Sequence, residues 1–126
     1  MATLLLEETL AATDGIGPAF ELGGQRGKLL ILTLSITRIM ERDSVLISIW
    51  GSADGTEWGL SPVVSFSPKY YCGLYSALLN LASRPDLRYL CVHWHVRQGK
   101  NREQHLPVCS FSVSADASGS RLGAVA

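Results

Sequence analysis

Apolar and polar residues alternate with a period of two over much of the chain, and long helical periodicity is nearly absent. The clearest stretch covers residues 28–38. If this stretch is a strand, one of its faces carries Leu30, Leu32, Leu34 and Ile36. The other face carries Thr33, Ser35 and Thr37. This pattern is typical of a β-strand with one buried face and one face half-open to water. A chain built from such segments has to bury its apolar faces between sheets, which excludes a helical bundle.

The same alternation predicts long strands at residues 44–52, 87–97 and 107–115, and shorter ones at 3–9, 19–22, 62–66 and 70–74. Residues 12–18 are rich in turn formers and predict a loop, whereas 78–81 fit either a strand or one helical turn. About eight short strands predict an all-β fold, an antiparallel β-sandwich or jelly roll. The expected core consists of Leu30, Leu32, Leu34, Ile36, Val45, Ile47, Ile49, Leu90, Val92, Trp94, Phe111 and Val113.

Length and composition favour one domain that associates easily with copies of itself. With 126 residues, we expect a single sandwich over residues 1–116 and a flexible Gly/Ser-containing tail over 117–126. The apolar fraction is 47%, which excludes a disordered tail protein. Eleven basic and 11 acidic side chains cancel, so we predict no nucleic-acid partner and little repulsion between copies.

The N-terminal segment has no basic region before its short apolar run, and no run reaches the roughly 18 apolar residues of a membrane span. We therefore predict no signal peptide and no membrane association. The three cysteines are odd in number and lack CxxC spacing, which favours a reducing compartment. The expected location is the cytoplasm or a virion-like particle.

Motifs for catalysis and for cofactor binding are missing from the sequence. It contains neither a GxSxG nucleophile elbow nor a Gly-rich phosphate loop, so we predict no enzyme and no cofactor. One group could hold a metal: Cys91, His93 and His95 alternate along one strand face, and such side chains can bind Zn²⁺ or Cu²⁺. The favoured interpretation is that these three simply face solvent or a neighbour, so no metal is predicted.

Aromatic residues are more numerous than one inner face requires, and two interpretations stay open. Tyr70, Tyr71 and Tyr75, together with the N-terminal Leu4, Leu5 and Leu6, would form contacts between protein subunits. Alternatively, Trp50 and Trp58 would form a stacking surface for sugars. A further possibility is that Trp58 and Tyr71 cover the ends of the sandwich.

Ser52, Asp54, Gly55 and Trp58 form an S-x-D-G-x-x-W motif after a predicted strand, and the Asp-Gly pair predicts a type I′ hairpin turn. A later Arg-Tyr-Leu-x-Val-x-Trp strand occupies residues 88–94. With these motifs the chain resembles small β-sandwich (jelly-roll-like) structural proteins of phage and prophage virions. The resemblance implies a phage-derived, non-enzymatic subunit that self-assembles as a homo-oligomer or decorates a larger particle. A similar turn occurs in discoidin-like sandwiches, which leaves a carbohydrate-binding module, with a glycan partner, as the alternative.

Overall fold

The computed structural model describes residues 3–98 and 107–117, and over these residues the chain forms nine strands. Their bounds are β1 (Thr3–Ala11), β2 (Gly15–Ile16), β3 (Phe20–Glu21), β4 (Leu29–Ile39), β5 (Ser44–Ser52), β6 (Val64–Ser65), β7 (Gly73–Asn80), β8 (Tyr89–Arg97) and β9 (Cys109–Ala117). Two short 3₁₀ turns lie at Gly23–Gln25 and Leu81–Ser83. Within this described part, no helix is long and apolar enough to cross a membrane.

The strands form two antiparallel sheets that pack face to face. One sheet has the order β1-β9-β4-β7. The other has the order β2-β8-β5-β6, and β3 also pairs with β8. The predicted all-β sandwich is therefore confirmed. Because β7 and β1 end the first sheet while the very short β6 ends the second, the longest exposed strand edges belong to the first sheet.

The core lies between the sheets, where the alternating apolar residues of both inner faces meet. All predicted core residues are buried except Trp94, which is half-buried against the same core. The Phe111 ring meets the Trp94 ring edge-on, with centroids 5.7 Å apart. Since Phe111 lies in the first sheet and Trp94 in the second, this contact joins the two layers.

Leu5 and Leu6 do not lie on the surface, so their prediction as contact residues is wrong. Both are buried in the core, although they are adjacent in β1 and a regular strand would point them to opposite faces. The pairing of β1 with β9 shifts register between Leu4 and Leu6 and again between Leu6 and Thr9. Such bulges change which side of a strand faces inward. Leu4 remains exposed.

Several strand bounds differ from the predicted ones because pairing, rather than local sequence, sets them. The strand predicted at 70–74 starts only at Gly73 and continues to Asn80, since β7 pairs along its whole length with β4. The ambiguous segment 78–81 ends the strand and then enters the 3₁₀ turn, whose Ala82 N–H donates to the Asn80 side chain at 3.0 Å. The loop predicted at 12–18 contains β2.

The predicted boundary at residue 116 falls inside a strand, because β9 continues through Ala117, which pairs with Leu30. Residues 118–126, the rest of the predicted tail, lie outside the described residues. So do residues 99–106.

Candidate functional site

Strand β7 presents an unusual free edge, which we call the β7 edge (Gly73–Asn80). It pairs with β4 on one side, and no other strand among those described forms a ladder on its outer side. Leu74 and Leu78 point away from the core and are 74% and 64% exposed. Between residues 70 and 83 there is neither a charged residue nor a proline. Natural edge strands usually carry charges, prolines or bulges that block pairing with another chain. The β7 edge carries none of them.

The apolar surface of this edge extends onto the neighbouring strand. Leu78 lies opposite the half-buried Ile31 of β4, while Leu74 lies opposite Ser35. Residues directly opposite on one face of an antiparallel pair are within contact distance of each other. The exposed Leu78 thus borders an apolar patch that starts at Ile31, whereas the neighbour of Leu74 on β4 is polar.

Of the predicted contact tyrosines, Tyr70 and Tyr71 lie just before β7 and Tyr75 lies within it, and the three differ in exposure. Tyr70 and Tyr71 are exposed, and with Cys72 they line a hollow of about 550 Å³. Tyr75 is half-buried. Its hydroxyl donates to the Tyr71 carbonyl at 2.7 Å, and the Lys69 ammonium lies 4.3 Å from its ring centroid. Tyr75 therefore holds the segment in place, whereas Tyr70 and Tyr71 are available to a partner.

A second surface feature is a groove of about 420 Å³ on the outer face of the five-stranded sheet. Trp50 stacks on His93 there, with ring centroids 4.8 Å apart and planes 19° from parallel. The Trp50 indole N–H donates to the Ser48 hydroxyl at 3.1 Å. Burial lowers the pKa of His93, which favours its neutral form. Ile16 and Leu46 add apolar surface to the groove.

Asp14 closes one end of this groove and ties the preceding loop to β8. Its carboxylate contacts His95 Nδ1 at 2.6 Å and accepts the Val96 N–H at 2.8 Å. Gly15 packs directly against the Trp94 indole, since a Cβ placed there would lie 2.3 Å from a ring carbon. In the sequence Asp14 is only one of the turn-forming residues of the predicted loop 12–18. Its partner is 81 residues away in sequence, and no local pattern indicates such a pair.

The three metal candidates share one strand face, but each has another partner. The buried Cys91 thiol donates to the Gly17 carbonyl at 3.1 Å, and burial raises its pKa, which disfavours the thiolate that binds metals. His93 stacks on Trp50, and His95 pairs with Asp14. Across residues 3–98 and 107–117, no three His, Cys, Asp or Glu side chains are grouped as metal ligands.

The S-x-D-G-x-x-W motif forms a compact hydrogen-bonded loop rather than a hairpin turn. The buried Ser52 hydroxyl accepts the N–H groups of Asp54 and Gly55, at 3.2 and 2.8 Å, and donates to Asp54 Oδ1 at 2.9 Å. Asp54 Oδ1 in turn accepts the N–H groups of Thr56 and Glu57, both at 2.9 Å. The type I′ prediction is wrong, because that turn needs positive φ at both central residues and only Gly55 has it.

The two tryptophans predicted to bind sugars lie in different places. Trp50 lines the groove beside His93, whereas the half-buried Trp58 lines a separate hollow of about 410 Å³ with Val63 and Leu87. The two cavities share no lining residue. A flat stacking surface made of both rings is therefore not assembled.

No family model matches this chain, and neither a curated protein nor a solved structure matches it. The similarity of its motifs to virion proteins therefore stays a prediction.

Proposed function

We propose that this protein is a non-enzymatic structural subunit that assembles with copies of itself, using the β7 edge as a contact surface. The observation that carries the proposal is the combination of a free, uncharged edge strand with two exposed leucines, Leu74 and Leu78. Tyr70 and Tyr71 extend the contact surface at one end, and the exposed Leu4 is a further contact candidate on β1.

Physical chemistry favours association at this edge. The outward N–H and C=O groups of an edge strand are satisfied by water in the monomer and can be satisfied by a second strand in an assembly. Burying a leucine side chain stabilises the buried state by about 1.5–3 kcal/mol. The formal net charge of zero means that approaching copies meet little overall repulsion.

The resemblance to phage and prophage virion proteins supports a particle as the setting of this assembly. In that interpretation the chain either builds a phage-derived, virion-like shell or decorates one, in the cytoplasm or on the particle. The partners are then identical copies or other subunits of the particle.

Replacing Leu74 with lysine tests the proposal. We expect Leu74→Lys to weaken self-association at least about tenfold, because each contact would bury two charges in place of two apolar side chains. The measurement is light scattering coupled to size-exclusion chromatography over a concentration series. Leu60→Lys is the matched control, since Leu60 is fully exposed in the loop between β5 and β6. A wild-type chain that stays monomeric at the highest soluble concentration would refute the assembly.

A second candidate function is glycan binding in the groove at Trp50. The favouring observation is that a partly exposed indole lies there beside polar side chains of Ser48, His95 and Asp14, the combination that sugar sites use. A glycan array should then give a signal that Trp50→Ala abolishes. Trp58→Ala, in the separate hollow, should leave that signal unchanged. A flat array response with the wild-type protein would exclude this function.

A further inference from the structure

We infer that two copies pair through their β7 strands as a twofold-symmetric antiparallel ladder centred on Ser76. In this arrangement Leu74 of each copy lies opposite Leu78 of the other, and the two four-stranded sheets become one continuous sheet. The inference rests on the proposed self-assembly and adds the geometry of its interface. It follows from the order of residues in β7 and from the pairing rules of antiparallel strands.

Twofold symmetry limits the registers in which two β7 strands can pair. When two identical strands pair about a twofold axis, residues at equal distances before and after the axis face each other. Directly opposite residues in an antiparallel pair point to the same side of the sheet. The axis must therefore pass through the position of one residue, which then faces its own copy. An axis between two residues would place odd-numbered positions opposite even-numbered ones, whose side chains point to opposite faces of the sheet.

Registers centred one residue away from Ser76 do not bring the leucines together. Centring on Tyr75 places Leu74 and Leu78 opposite Ser76 and Cys72 of the second copy. Centring on Ala77 places them opposite Asn80 and Ser76.

Centring on Leu74 or Leu78 brings only that residue against its own copy. The other leucine then lies opposite Tyr70 or Ala82, and both of these positions are outside β7. Centring on Ser76 alone gives two leucine–leucine pairs, with the small Ser76 side chains meeting on the axis.

The inner face of the strand fits the same register. Tyr75 lies opposite Ala77 of the second copy, and Leu79 lies opposite Gly73, so that each large side chain meets a small residue. No charged residue occurs between positions 70 and 83, so like charges do not oppose each other anywhere along this ladder. The segment is thus complementary to itself in size, polarity and charge.

Cysteine cross-linking tests this register in full-length protein. Cys72→Ser first removes the exposed native thiol, while Cys91 and Cys109 are buried. In that background Ser76→Cys should form a disulfide-linked dimer with oxidised glutathione, because directly opposite Cα atoms lie about 4.5–5.5 Å apart. The measurement is non-reducing electrophoresis together with light scattering of the unoxidised protein.

Two further variants serve as matched controls. In the proposed register, position 74 of one copy and position 74 of the other are separated by four residues along the strand, about 13 Å. Leu74→Cys alone and Leu78→Cys alone should therefore cross-link poorly. A mixture of the two should give a dimer that contains one chain of each, which a mass tag on one variant identifies.

The outcomes separate the register from the assembly. Efficient cross-linking of Ser76→Cys and of the mixture supports the register. A dimer in light scattering that cross-links in neither case overturns the register while self-association stands, and Leu74→Lys then shows whether the β7 edge is still its contact surface. A protein that is monomeric throughout overturns both.

Discussion

Phe111→Ala is expected to lower the free energy of unfolding by about 3–5 kcal/mol, the usual cost of removing a buried aromatic ring from a core. Phe111 is fully buried in β9 and lies opposite Thr9 of β1 and Ile36 of β4. Its ring also contacts Trp94 of the other sheet. Removing it leaves a cavity at the place where the two layers meet, and the surrounding structure closes such a cavity only in part.

Chemical denaturation, followed by circular dichroism, measures this effect. Phe111→Leu is the matched control and should cost less, since it retains much of the apolar volume. Leu60→Ala, at a fully exposed position, should change the free energy of unfolding by no more than about 0.5 kcal/mol. A loss below about 1 kcal/mol for Phe111→Ala would show that the ring does not occupy the core as described.

The sandwich could be predicted because its inner faces follow a strict alternation. In β4 and β5 every second residue is apolar, and this local signal assigns those residues to the core before any strand partner is known. The prediction failed where the backbone departs from the regular pleat. The adjacent Leu5 and Leu6 are both buried only because the register of β1 shifts against β9.

The exposed surfaces could be predicted only in part. In β7 both faces carry large apolar residues, Leu74 and Leu78 on one and Tyr75 and Leu79 on the other, so alternation does not indicate which face is open. That β7 ends its sheet depends on the order of strands, which is a long-range property. Trp50 was identified from its residue type, whereas its contacts with His93 and the nearby pair of Asp14 with His95 depend on strands distant in sequence.

The motif around Ser52 marks a loop, as predicted, but the loop is not the predicted hairpin turn. The Asp-Gly pair predicts a hairpin turn, yet β5 continues into a loop and its next partner, β6, begins only at Val64. What Ser52 and Asp54 do is accept the backbone N–H groups of that loop. Side chains of these types commonly form such local bonds.

Ser52→Ala should therefore destabilise the fold by about 1–3 kcal/mol near neutral pH, because the partly buried N–H groups of Asp54 and Gly55 lose their acceptor and each such bond contributes about 0.5–1.5 kcal/mol. Ser61→Ala, at an exposed serine of the same loop, is the control and should change little. Equilibrium unfolding in denaturant gives both values. Equal stability of the wild type and Ser52→Ala would mean that the hydroxyl contributes nothing to the loop.

The loss of unfolding free energy caused by Ser52→Ala should also depend on pH, and the protonation of Asp54 determines the direction of this dependence. The N–H groups of Glu57 and Thr56, and then the Ser52 hydroxyl, hold the pKa of Asp54 well below its usual range. As the pH falls, Asp54 is protonated near pH 4 in the unfolded chain and only at lower pH in the folded chain. The contribution of its carboxylate to the free energy of unfolding is therefore complete above pH 4 and declines as the pH falls. Ser52→Ala removes one of these bonds and raises the folded-state pKa. The difference in unfolding free energy between wild type and variant should then be largest near pH 7 and shrink in acid, and a difference that grows in acid would contradict this role of the hydroxyl.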